Sequence, residues 1–219
     1  MDSISKRQFD RSSPAEQQIL AATESLLGDV SARDLSVQMI LDAAGVARGT
    51  FYHYFDSKWS VVNALAARML ESIFVPVSGF IEGGTLAPED MLERAVVDGS
   101  RVWGEHRAVA RAVLEHWREV PELRAMWLTL MEQFIGGLTE TIEQERAAGR
   151  MLPGPPARQL VTVLVWAGAQ SLYLAGLPEI TDLPDEAAAA ECLKTLWASI
   201  LFGTPAARQL HGATESAHG

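Results

Sequence analysis

The sequence predicts an all-α fold of about nine helices: an N-terminal three-helix helix-turn-helix domain followed by a larger helical domain. Three observations carry this reading. Apolar residues recur at i, i+3, i+4, i+7 along nearly the whole chain, strand-like alternation bounded by turn signals is missing, and proline and glycine gather at the joints.

The first helix starts at Ser13-Pro14-Ala15-Glu16, with proline at the first helical position and glutamate three residues after a serine cap; Ile19, Ala22 and Leu26 then share a face. The second begins at Ser36, repeats Val37, Ile40, Leu41 and Ala44, and stops at Gly45. The third runs from about Arg48 to Phe55. The fourth starts at Ser57, buries Val62, Leu65 and Met69, and is expected to end near Pro76. Glu82-Gly83-Gly84-Thr85 is the first loop-rich break. Further helices are expected at roughly 88–104, 107–118, 121–148, 156–176 and 184–202, separated by Gly149 and by Pro153-Gly154-Pro155-Pro156. The expected division is 1–75 for the helix-turn-helix domain with the fourth helix as connector, 76–203 for the second domain, and 204–219 for a flexible tail.

Composition narrows the classes. With 219 residues, 48% of them hydrophobic, the chain can bury a substantial core. A single cysteine, Cys192, excludes an internal disulfide framework, and no CxxC or HxxxH spacing points to a metal, so no cofactor is expected. The polar start Met1-Asp2-Ser3-Ile4-Ser5-Lys6-Arg7-Gln8 lacks the apolar stretch of a secretory signal, and a cytoplasmic location is expected. Leu160 to Leu177 is uncharged over 18 residues but contains Thr162, Gln170 and Ser171; it reads as a buried bundle helix rather than a membrane span. The net charge of -10 opposes DNA binding, yet residues 1–75 hold seven Lys+Arg against nine Asp+Glu, so most of the excess lies beyond them and should face away from a nucleic acid.

The segment from Leu35 to Lys58 carries the functional signal. Two short helices joined by a turn at Gly45 form the arrangement that presents a second helix to the major groove of double-stranded DNA. Gly45 permits the turn where φ is positive. At 100° per residue, Phe51 and Phe55 point inward with Ala44 and Val46, which leaves Gly49, Thr50 and His53 on the outer face and Tyr52 and Tyr54 on its flanks. A small residue permits close approach, the polar tips can reach base edges, and the phenols can meet the flanking phosphates. Arg48 adds charge at the N-terminal end. Lys58 follows the cap Ser57, where an ammonium and free helix N–H groups would converge on a phosphate, and Ser36 is placed to cap its helix and touch a phosphate as well.

Residues 15–75 resemble the TetR-family DNA-binding domain. The residues that carry the likeness are Ala43-Ala44-Gly45-Val46, Gly49-Thr50-Phe51-Tyr52-His53-Tyr54-Phe55 and Ser57-Lys58. Two positions depart: Ala47 stands where the family usually offers a capping hydroxyl, and Trp59 replaces the usual glutamate. Beyond residue 75 the chain more loosely resembles the ethionamide-resistance-type repressors, through Trp103-Gly104-Glu105-His106-Arg107, Glu122-Leu123 with Trp127, and the segment from Trp197 to Gly203. The resemblance implies a homodimer joined through the last two helices, where Ala167, Gly168, Ala169, Ser171 and the run Ala187 to Ala190 would permit close approach, and an inverted-repeat operator.

Five of the six tryptophans lie beyond the first loop. Trp127, Met131, Phe134 and Leu138 line one helix face; Trp166, Gln170 and Tyr173 another; Leu193, Trp197 and Ile200 a third. With Trp103, these stripes suggest a chamber for a small ligand. No charged residue falls on them, so the ligand is expected to be neutral and apolar.

Two other classes compete with a ligand-responsive regulator: a helical-bundle enzyme, and a carrier of lipid or another hydrophobic ligand without DNA binding. The enzyme lacks a constellation, since His106 and His116 have no partner at ligand spacing and the adjacent Glu115 and His116 diverge on a helix. A carrier leaves the Arg48 to Lys58 pattern without a purpose.

Overall fold

The computed structural model describes residues 13–81 and 87–203, with side chains through Phe74 and from Ala87 onward. The Glu82–Thr85 break, the residues before Ser13 and the expected tail lie outside the described residues. Among those described there are nine helices and no strand: α1 Pro14–Asp29, α2 Val37–Ala44, α3 Arg48–Tyr54, α4 Lys58–Ile81, α5 Pro88–Glu105, α6 Arg107–His116, α7 Pro121–Ala147, α8 Ala157–Leu174 and α9 Glu186–Phe202. None is long and apolar enough to cross a membrane.

Helix starts are set by local chemistry. Ser13 Oγ accepts from the Glu16 amide at 3.2 Å, Ser36 Oγ from Met39 at 3.2 Å, and the Asp185 carboxylate from Ala188 at 2.8 Å, each satisfying one otherwise unpaired N–H. Before α4, Ser57 and Ser60 cap reciprocally: the Ser57 amide donates to Ser60 Oγ at 3.0 Å and the Ser60 amide to Ser57 Oγ at 3.1 Å. A serine performs the return bond that glutamate makes in a capping box.

Two expectations are corrected. α4 does not end near Pro76 but continues to Ile81. Proline removes a single backbone donor, and the sequence stays apolar on both sides of it, so one lost bond does not stop the helix. On α1 the buried stripe is Ile19, Leu20, Thr23 and Leu27, with Ala22 and Leu26 at its margin. Thr23 joins an apolar face because its hydroxyl donates to the Ile19 carbonyl at 2.8 Å, leaving no unpaired donor.

The described residues form two compact units. One groups those up to Met69 with His106–Leu128. Within it α1 packs on α2, α3 and α6, and Ile19, Ile40, Phe51, Val61, Val109 and Val113 are fully buried. His106, at the start of α6, holds α1 through a 2.6 Å contact between its Nδ1 and the Glu24 carboxylate. The other unit groups Leu70–Glu105 with the residues from Thr129 on. There α9 packs on α5 and α8, and Ile135, Ile142, Val161, Leu164, Trp197 and Leu201 belong to one core. Arg146 fastens the turn after α7 by donating to the carbonyls of Leu152 at 2.9 Å and Pro155 at 2.7 Å.

Candidate functional site

Gly45 ends α2 in the left-handed conformation, φ 65° and ψ 31°, and its amide donates to the Leu41 carbonyl at 3.0 Å. That conformation costs an L-residue about 1–2 kcal/mol, which is why glycine occupies the corner. The chain then turns into α3, whose inner side is Phe51, wholly buried, with Phe55 buried just past its end. Arg48, Gly49, Tyr52 and His53 are exposed; Thr50 and Tyr54 are partly covered. The rings are held rather than loose: Tyr52 stands edge-on to Phe51 at 5.3 Å, and His53 to Tyr54 at 4.8 Å.

Arg48 is pre-oriented by a relay that local patterning does not reveal. Its Nη2 donates to Gln38 Oε1 at 2.8 Å, and Gln38 Nε2 donates to Asp42 at 2.8 Å. Gln38 and Asp42, one turn apart on α2, thereby fix a guanidinium that retains further donors. Ala47 sits in extended backbone at the N-terminus of α3 and supplies no side-chain cap, so the first turn of the exposed helix has unclaimed N–H groups.

Lys58 is placed differently from a free cation. Its ammonium donates to the carbonyls of Arg33 and Leu35, both at 2.7 Å, and lies 4.9 Å from the centre of the Trp59 ring. Partial burial pushes its pKa down, opposed by Asp34. Two of three N–H donors therefore bind the segment that leads into Ser36 and α2, and one remains. Trp59, the departure at the next position, also packs against His116 of α6 at 5.1 Å.

The second unit contains a cavity of about 150 Å³. Leu70 and Ile73 of α4 contribute to its wall, with Leu92, Gly99 and Trp103 of α5, Met131 and Phe134 of α7, Leu164, Gly168 and Leu172 of α8, and Leu193 and Trp197 of α9. None of its lining residues is charged. Trp103, Met131, Phe134 and Trp197 thus come together as the sequence stripes suggest. Trp127 does not join them: it is fully buried and belongs to the other unit. Nor do Trp166, Gln170 and Tyr173, because α8 turns the Leu164, Gly168 and Leu172 face inward and leaves Gln170 exposed. α8 is apolar on nearly all sides, so its sequence could not distinguish the two faces.

Ser100 is a polar lining residue that the sequence stripes missed, along with the apolar wall from α4, α5 and α8. It is 4% exposed and follows Leu92, Ala95, Val96 and Gly99 on the cavity face of α5. The signal was a hydroxyl interrupting an apolar helical stripe.

Residues 92–203 match the family model described as the transcriptional regulator EthR, C-terminal domain, and residues 19–65 match that of the bacterial regulatory proteins, tetR family. The HTH-type transcriptional regulator EthR of Mycobacterium tuberculosis is 29% identical over 189 residues, covering 86% of this chain and 87% of that protein. Among solved structures, SmeT, the repressor of a Stenotrophomonas maltophilia multidrug efflux pump, superposes with a TM-score of 0.70 at 15% identity, covering 87% of this chain and 91% of that one. The fatty acid degradation regulator FadR of Bacillus halodurans gives 0.69 at 20% identity, covering 85% and 95%.

Proposed function

The chain belongs to the TetR family of bacterial transcriptional regulators, with a C-terminal domain of the EthR type, and from that premise we propose that it is a repressor that binds an inverted-repeat operator as a homodimer and leaves it when a neutral apolar ligand fills the cavity. Its family and relatives are regulators rather than enzymes. The observation that carries the proposal is the outer side of α3: Arg48, Gly49, Tyr52 and His53 exposed together on a helix whose inner side is anchored by Phe51. Gly49 lets the backbone approach base edges, Arg48, Thr50 and His53 reach them, and Tyr52, Tyr54, Ser36 and the remaining Lys58 donor meet phosphates.

A homodimer through α8 and α9 is supported by apolar surface without a partner in one chain. Val163 on α8 is 66% exposed and Leu196 on α9 is 44% exposed, with Ala167 and Cys192 also at the surface. Covering such side chains with a second copy is the ordinary route to a two-fold assembly. As a DNA-bound regulator, the protein works in the cytoplasm.

Release is a population shift. A ligand lowers DNA affinity only by as much as it prefers the non-binding arrangement. α4 carries both ends of the link, since Lys58 holds the segment before α2 while Leu70 and Ile73 border the cavity.

The test is fluorescence anisotropy on DNA from upstream of the protein's own gene across a salt series. A sequence-dependent affinity that falls steeply with salt is expected, as is weakening in Tyr52→Ala without loss of the dimer. Equal affinity for unrelated DNA at every salt concentration would defeat the proposal.

A further inference from the structure

We infer that Gln38 of α2 is a positioning residue for DNA reading: it presents Arg48 to a guanine in each half of the operator, and Asp42 fixes which way Gln38 faces. This rests on the DNA-reading role proposed for the outer side of α3.

Arg48, Gln38 and Asp42 are all exposed, Arg48 on the first turn of α3 and the other two one turn apart on α2. Nη2 of Arg48 donates to Gln38 Oε1 at 2.8 Å, and Gln38 Nε2 donates to the Asp42 carboxylate at 2.8 Å. The chemistry of the two ends leaves the amide one orientation. A guanidinium only donates and a carboxylate only accepts, so the Gln38 oxygen must face Arg48 and its nitrogen Asp42. A neutral amide thus bridges the two charges.

The form of the contact decides what Arg48 can read. The two hydrogens on Nη2 lie on different edges of the guanidinium, one beside Nε and one beside Nη1. Whichever of them Gln38 takes, the other edge keeps a parallel pair of donors. In the major groove guanine alone offers two adjacent acceptors, N7 and O6; adenine and cytosine set a donor there, and thymine pairs its acceptor with a methyl group. Gln38→Glu would put a carboxylate beside Arg48, and a carboxylate can take an entire edge in a bidentate pair. Holding the side chain matters as well. An arginine without the amide bond can swing to phosphate, which carries no sequence information, and it loses more rotamer freedom on meeting a base. The N-terminal end of the exposed helix, where Arg48 stands, is where base edges are met.

Selection by the full chain from a pool of random duplexes, read by sequencing, provides the test. Wild type should enrich inverted repeats with a guanine at one fixed position of each half, and Arg48→Ala should lose the preference at that position alone. Gln38→Ala should narrow it about threefold to tenfold while the other positions and the salt dependence stay as in wild type. Gln38→Glu should lose it altogether. A merely structural loss would weaken binding to every sequence alike. Anisotropy on the selected duplex adds an independent reading, because 7-deazaguanine keeps base pairing but lacks N7; at that position it should cost wild type about fivefold to tenfold in affinity and leave Arg48→Ala unaffected. If Gln38→Ala and Gln38→Glu keep the wild-type guanine preference, or if Arg48→Ala weakens binding without changing preference at any position, the proposal is overturned while the DNA-reading face stands. If wild type enriches no sequence, the face and the proposal fall together.

Discussion

Lys58, at the start of α4, donates a 2.7 Å hydrogen bond to the backbone carbonyl of Leu35, the residue before the Ser36 cap of α2. A second bond to Arg33 makes the ammonium a clasp on the segment between α1 and α2. Lys58→Met should lower folding stability by about 1–3 kcal/mol, as expected for hydrogen bonds to a charged group, and weaken operator binding. Denaturant titration and anisotropy measure the two effects. Unchanged stability would mean that the clasp is unimportant to the fold.

The pH dependence of the same residue has a defined sign. Burial lowers the pKa of Lys58 in the folded protein, so the unfolded chain holds that proton to higher pH. Between the lowered folded value and the ordinary lysine value, this group's contribution to stability rises with pH, because the penalty on the charged form disappears. Melting curves of wild type minus those of Lys58→Met should show that alkaline rise. A difference that falls over the same window would refute the assigned cause.

Ala47 has φ -71° and ψ 151°, nearly the backbone of the capping Ser13 at -64° and 154°, but no side-chain oxygen. Ala47→Ser should therefore form the missing cap of α3 and stabilise the protein by about 0.5–2 kcal/mol. Thermal denaturation reads the gain. No gain would show that the hydroxyl cannot reach the first-turn amides.

His106 and Glu24 meet at 2.6 Å and are each about one-third exposed, joining α6 to α1. A double-mutant cycle with His106→Ala and Glu24→Gln should give a coupling of about 0.5–1.5 kcal/mol, kept small by solvent screening. Additive losses would indicate that the contact does not hold the helices.

What could be read from the sequence was mostly local. The starts of α1, α2 and α9 follow from Ser13, Ser36 and Asp185, whose side chains act within three residues, and the inner side of α3 follows from the spacing of Phe51 and Phe55. Long-range choices were hidden. Lys58 binds carbonyls 23 and 25 residues away, a pairing that no periodicity encodes. On α8, Trp166, Gln170 and Tyr173 drew attention because they are large or polar, whereas the smaller Gly168 occupies the cavity wall. Ser100 is hard to single out because one serine on an apolar stripe resembles tolerated polarity until the cavity beside it is seen.

Gly168 provides a way to test whether filling the cavity acts on DNA binding. A Cβ there would meet only Leu193 Cδ2 at 3.9 Å, an ordinary contact, so Gly168→Ala fits without displacement and should stabilise α8 by about 0.5–1 kcal/mol through helix propensity. Gly168→Leu carries a branched chain toward a space of about 150 Å³ and should occupy much of what a ligand would use. Because a side chain in the cavity stands in for a ligand, the leucine variant is expected to bind operator DNA more weakly than wild type and to show no further release on addition of benzene. Anisotropy with and without benzene measures both properties on one sample. If Gly168→Leu binds DNA as wild type does and still releases it on addition of benzene, the ligand acts elsewhere.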